Sequence, residues 1–197
     1  MPCTSDETRA SQKFLVQPPS QPVRCDRAAS RSGSAAFLQP SAPLIQDEDG
    51  YLYGTTSSGG VTNPVCQELG CGAAFQIDPR AGTESTIHIF TGGADGGNPS
   101  GGLLVDTQGN GTTFSGGSAP FGFCLFNGGD DCGVVYKFDS AGNETVLWNF
   151  TGGSDGASSS AGVTMDQQGN LYGTTNYGGD PSCFPPYGCG VVFKLTP

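Results

Sequence analysis

One histidine, His88, stands in the whole 197-residue chain, and imidazole is the side chain that most readily moves a proton near neutral pH. No Ser-His-Asp, Cys-His, phosphate-loop or metal-ligand pattern accompanies it. Carboxylates are more plentiful. Asp95 and Asp155 recur in the string Gly-Gly-x-Asp-Gly, where loop capping explains them and an oxygen-rich cation site, with calcium as the cation, is the alternative. Asp47, Asp106 and Asp166 each stand three residues before a glycine, Gly50, Gly109 and Gly169, as a tight turn requires. Asp47-Glu48-Asp49-Gly50 has the opening of a calcium loop but lacks the later bidentate Glu, which excludes an EF-hand. Paired carboxylates alone remain compatible with glycosidase-type chemistry. Aromatics gather near cysteines: Phe121, Phe123 and Phe126 in one place, Phe184 and Tyr187 in another. They either fill the space beneath their own loops or form a recognition surface for a glycan or protein ligand.

These residues sit in a repeat. Gly-Thr-Thr occurs at Gly54, Gly111 and Gly173, each time inside the same larger string. Units run over 40–98, 99–158 and, incompletely, 159–197, and a period of about 60 residues marks an array, solenoid or propeller. Each unit reads as four strands: A (Leu103–Asp106), B (Leu171–Thr175), C (Gly72–Ile77, Gly133–Phe138, Gly190–Leu195) and D (Glu84–Phe90, Glu144–Phe150). They are rich in β-branched and aromatic residues and bounded by Gly, Asn, Asp and Ser. The second unit lacks the Leu-Tyr found as Leu52-Tyr53 and Leu171-Tyr172; losing two residues shortens a strand without flipping its faces. In strand D, His88 aligns with Trp148, so a neighbouring unit does without it and a variable strand position is the better reading; Trp148 is expected to pack between units. The segment Ala35–Leu38 is offered as a strand D for the third unit, which lacks its own.

The formal net charge is −10, and residues 41–197 carry three basic against fifteen acidic groups, which argues against nucleic acid as a partner. Residues 1–39, rich in Pro, Ser, Arg and Gln, read as a poorly ordered leader without a signal-peptide core, and nothing in the chain is apolar enough to span a membrane. Six cysteines form one pair per unit, Cys66 with Cys71, Cys124 with Cys132, and Cys183 with Cys189, the second always directly before the glycine of strand C. Loop lengths vary while that end point stays fixed, which suits a disulfide closing the B–C loop better than a zinc site. Disulfides imply export. Cys3 and Cys25 have no assigned pairing.

The Asp-x-x-Gly-Asn turn followed by a meander is the layout of a propeller blade, and the expected fold is all-β: a partial, propeller-like array of four-stranded antiparallel blades. Gly-Asn-Leu-Tyr-Gly-Thr-Thr, the following Gly-Gly, Gly-Val-Val-Phe-Lys-Leu and Phe-Thr-Gly-Gly-x-Asp-Gly together make residues 40–197 resemble the GloVer-type tandem repeat of bacterial exported proteins. That resemblance implies a propeller-like, exported and often surface-anchored protein, and supplies no catalytic residues. The expected function is a secreted, non-catalytic binding or structural module without a cofactor, completed by further repeats or self-association. The alternatives are an extracellular carbohydrate-active enzyme and a calcium-dependent surface module.

Overall fold

The computed structural model describes residues 37–40, 42–104, 111–113, 117, 132–139 and 141–196. Among them the chain is all-β, without an α-helix, and forms three antiparallel sheets, one per unit. The first contains β1 (Phe37–Pro40), β2 (Ile45–Gln46), β3 (Leu52–Gly59), β4 (Ala73–Asp78) and β5 (Thr83–Ile89). The second contains β6 (Gly111–Thr112), β7 (Val134–Phe138) and β8 (Glu144–Asn149). The third contains β9 (Thr164–Met165), β10 (Leu171–Thr174) and β11 (Val192–Leu195). Strands β2 to β5 follow one another across the sheet, which is the A–B–C–D meander read from the first unit.

Of the segment Ala35–Leu38, the first two residues lie outside the described ones, and the last two do not complete the third unit. Phe37 and Leu38 pair with Gly59 and Ser58 of the first sheet instead. β2 reaches only Leu52 and Tyr53, leaving the far half of the β3 edge open, and the short link from Pro40 to Ile45 lays β1 along it. An open edge takes the nearest strand.

The Gly-Thr-Thr string has a separate task for each residue. Its glycine always faces an aromatic across the ladder: Gly54 with Phe75, Gly111 with Tyr136, Gly173 with Phe193. On Gly54 and Gly173 a Cβ would collide with that ring. The first threonine ties its unit to the start of the next, Thr55 Oγ1 donating to the Gly101 carbonyl (3.3 Å) and Thr112 Oγ1 to the Ala161 carbonyl (2.7 Å). The second threonine locks against the unit before it: Thr113 lies on Gly96, and Thr175 on Gly156, so closely that a Cβ on either glycine would strike the hydroxyl. The same hydroxyls accept the backbone N–H of Val134 and Val191, both at 3.0 Å.

Two cores result, and both lie between units. In the first seam Ala74 and Phe90 of the first sheet meet Val134, Tyr136 and Phe138 of the second. In the second seam Val135 and Phe150 of the second sheet meet Leu171, Phe193 and Leu195 of the third. Each sheet thus presents a small residue on one face of strand C and large ones on the other, and the small face of one unit receives the large face of the next. Val192, the third copy of Ala74 and Val135, is 81% exposed.

Gly156 has φ of +93° and Gly169 has φ of +84°, but only Gly156 is crowded, since nothing lies within 4 Å of a Cβ on Gly169. Gly156→Ala is therefore expected to lose about 1–3 kcal/mol beyond Gly169→Ala. Urea midpoints of the two variants check this, and equal losses would mean that the Thr175 contact is not a constraint.

Candidate functional site

The turns between strands D and A come first, because both acids singled out by their spacing sit there. Thr91 N–H donates to Asp95 Oδ2 at 2.8 Å, and Thr91 Oγ1 to Oδ1. Thr151 holds Asp155 in the same way, its N–H at 3.0 Å. Each carboxylate also meets the ring that aligned in sequence. Trp148 Nε1 donates to Asp155 Oδ2 at 3.2 Å, and His88 Nε2 lies 3.3 Å from Asp95 Oδ2. The His–Trp equivalence is therefore structural: both rings offer a nitrogen to the capping aspartate.

The first seam adds what the second does not. Glu144, at the start of β8, places Oε2 3.6 Å from His88 Nε2. His88, Asp95 and Glu144 offer ligand atoms that all lie within 4.8 Å of one another. The His88 ring packs edge-on to Phe90 (4.8 Å) and tilted on Phe138 (5.6 Å), so the cluster has apolar walls. Burial pushes the Glu144 carboxyl up to about 7, His88 opposing and Asp95 reinforcing the shift. Burial also raises Asp95, but hydrogen bonds from His88 and Thr91 outweigh it and hold that carboxyl below its ordinary value. Glu144 escaped the sequence reading as a site residue. Glu84 and Glu144 recur at the start of strand D, but only the stacking of units brings Glu144 across to His88.

The turn acids behave as turn chemistry requires. Asp47 accepts from Tyr51 N–H (2.9 Å) and the Tyr53 hydroxyl (2.8 Å). Asp166 accepts from Gln168 N–H, Asn170 N–H, the Asn170 amide and the Tyr172 hydroxyl. The Asn170 amide is the largest cause that brings the Asp166 carboxyl down to about 2, burial opposing and the other donors adding to it. A folded value below the ordinary 3.8 means stability that is full above that pH and is lost as pH falls towards 2. Asp166→Asn is expected to melt below the wild type at pH 7, with the gap closing between pH 4 and pH 2. A gap independent of pH would show that ionisation is not what these donors recognise. Asp106 lies outside the described residues.

Cys66 is bonded to Cys71 and Cys183 to Cys189. Cys132 is also disulfide-bonded, while Cys124, Phe121, Phe123, Phe126, Cys3 and Cys25 lie outside the described residues. Such bonds suit an oxidising compartment. Phe184 is 56% and Tyr187 37% exposed, and their rings stand 5.7 Å apart. Their loop abuts the Asp155 turn: Gly179 N–H donates to the Gly153 carbonyl at 2.8 Å, and Ala157 bridges to Tyr177, whose ring lies 6.4 Å from that of Tyr187. The fold thus brings the stapled aromatics and Asp155 to one side of the second seam. At Asp155 a groove of about 370 Å³ runs along β11, lined also by Trp148, Phe150, Val192 and Lys194 among others. No helix among the described residues is long and apolar enough to cross a membrane.

None of the curated proteins compared with this chain matches it. Residues 39–197 match the family model described as the Gloeobacter/Verrucomicrobia repeat, and the chain belongs to that family.

Proposed function

We propose that this chain is an exported, non-catalytic repeat module that binds a glycan or peptide ligand at its second seam. The observation that carries the reading is the open groove along β11, which Trp148, itself 44% exposed, and Asp155 line, with the exposed Phe184 and Tyr187 on the loop that abuts the Asp155 turn. Large aromatics left on the surface of a rigid frame, beside a hydrogen-bonding acid, are the usual material of a recognition patch. The disulfide of Cys183 with Cys189 fixes the aromatic loop, which lowers the ordering cost of binding.

The repeating seams favour a propeller-like arrangement. The openings of successive units touch, Gly101 against Ala161 and Gly162, and Gly102 near Pro43, as innermost strands do when blades converge on an axis. Val192 lines the β11 groove and also carries the exposed face that Ala74 and Val135 bury in the described seams, so a further repeat or a second copy docked there extends the array and competes with the ligand. The disulfides support export to the cell surface or beyond.

The test is a binding panel of soluble polysaccharides and extended peptides, read by calorimetry. A ligand is expected whose affinity drops at least about tenfold on Trp148→Ala and on Phe184→Ser. Binding indifferent to both changes, or absent throughout, would remove the reading; turnover of a bound glycan would replace it with an enzymatic one.

A further inference from the structure

We infer that His88, Asp95 and Glu144 form a site for one transition-metal dication of the Zn²⁺ class at the seam between the first and second units. The site lies away from the β11 groove and does not depend on the ligand proposed there.

The spacing of the donor atoms is the first ground. His88 Nε2 stands 3.3 Å from Asp95 Oδ2 and 3.6 Å from Glu144 Oε2. Ligands that share a tetrahedral Zn²⁺ at about 2.0–2.1 Å are separated by about 3.3 Å, so two edges of the coordination figure already have the right length. The third lies within 4.8 Å.

The second ground is independent of that spacing. The Glu144 side chain is only 9% exposed, yet its Oε1 is a buried oxygen without a hydrogen-bond partner among the described residues. The Tyr136 hydroxyl, on a fully buried residue of the same seam, also has none. A half-buried pair of carboxylates with an orphaned oxygen is costly unless a cation or proton answers it. Among the described residues the ion-pair partner of both carboxylates is His88 itself.

The surroundings suit a metal. Thr91 fixes Asp95 through both oxygens, the kind of outer support that orients a ligand. Phe90 and Phe138 flank the imidazole, which keeps 22% of its side-chain surface exposed. One nitrogen and two carboxylate oxygens suit Zn²⁺ and its neighbours better than Ca²⁺, which takes six to eight oxygens. The second seam serves as a natural control, because Trp148 occupies the histidine position and an indole cannot ligate. One such site among the described residues follows.

The experiment uses the full, oxidised chain freed of metal by chelation and titrated with Zn²⁺, and with Co²⁺ for its visible spectrum. One equivalent is expected to bind and to raise the melting temperature. His88→Trp copies the residue of the second seam and keeps the ring-to-aspartate bond, and Glu144→Gln keeps shape. Both are expected to weaken binding at least about tenfold. Uptake well below one equivalent by the wild type overturns the proposal. So does equal binding by both variants, which would place the metal elsewhere, at Cys3 or Cys25 for example.

Discussion

Truncating Phe150 to alanine is expected to cost about 3–5 kcal/mol, a large share of the 5–15 kcal/mol that holds a domain folded. The ring is 1% exposed and lies 5.2 Å from Phe193 in a T-shaped contact, with Val135, Ala157, Val163 and Leu171 around it. Those neighbours come from two units, so the cavity opens in the seam and not within one sheet. A sheet with an apolar face must bury it against another element, so loss of the seam should be felt by the whole third sheet. Phe90 is the same residue one seam earlier, 5.2 Å from Tyr136 and fully buried. Phe90→Ala should cost a similar amount, and because the two cores share no residue the losses should add. Denaturant unfolding of both variants and the double variant checks this. A loss below about 1 kcal/mol at either position would mean that the units are stable by themselves.

Removing the staples is expected to separate them by burial rather than loop length. Closing a loop of five or six residues is worth about 2 kcal/mol in the chain-entropy model, nearly the same for Cys66–Cys71 and Cys183–Cys189, whose separations are 5 and 6. The sulfurs of the first pair belong to the first seam, Cys66 at 6% and Cys71 at 3% exposure, and also sit against Gly92. The second pair is exposed. A phosphine reductant should therefore open Cys183–Cys189 in the folded protein and reach Cys66–Cys71 only as the first seam opens. Replacing Cys66 and Cys71 by alanine should cost more than the equivalent change at Cys183 and Cys189, because core packing is lost with the bond. Timed alkylation with mass spectrometry reads the order; simultaneous reduction of both would contradict it.

Strand order was legible because it is local. Alternation in Gly-Val-Val-Phe-Lys-Leu and the Asp-to-Gly turns depend on residues a few positions apart, and Asp47 and Asp166 cap the turns their spacing promised. A register shift repeated in two units was not legible. In the ladders the partner changes between Ala74 and Phe75, and again between Val135 and Tyr136, leaving Ile87 and Leu147 as the extra residues. A bulge of this kind re-aims the residue beside it, here His88 and Trp148, and no residue type announces it. Glu144 was hidden for a different reason: it meets His88 only across a seam, from 56 positions further along the sequence. The destination of Phe37 and Leu38 was misread because strand propensity says that a segment will pair but not with which edge.

The two seams are held to be copies of one joint, and proton NMR of a threonine-methyl-labelled sample tests that most directly. Nuclear Overhauser contacts are expected from the Thr113 methyl to the Gly96 α-protons and, equally, from the Thr175 methyl to those of Gly156. Contacts at one seam without the other, or at neither, would contradict the stacked-unit account.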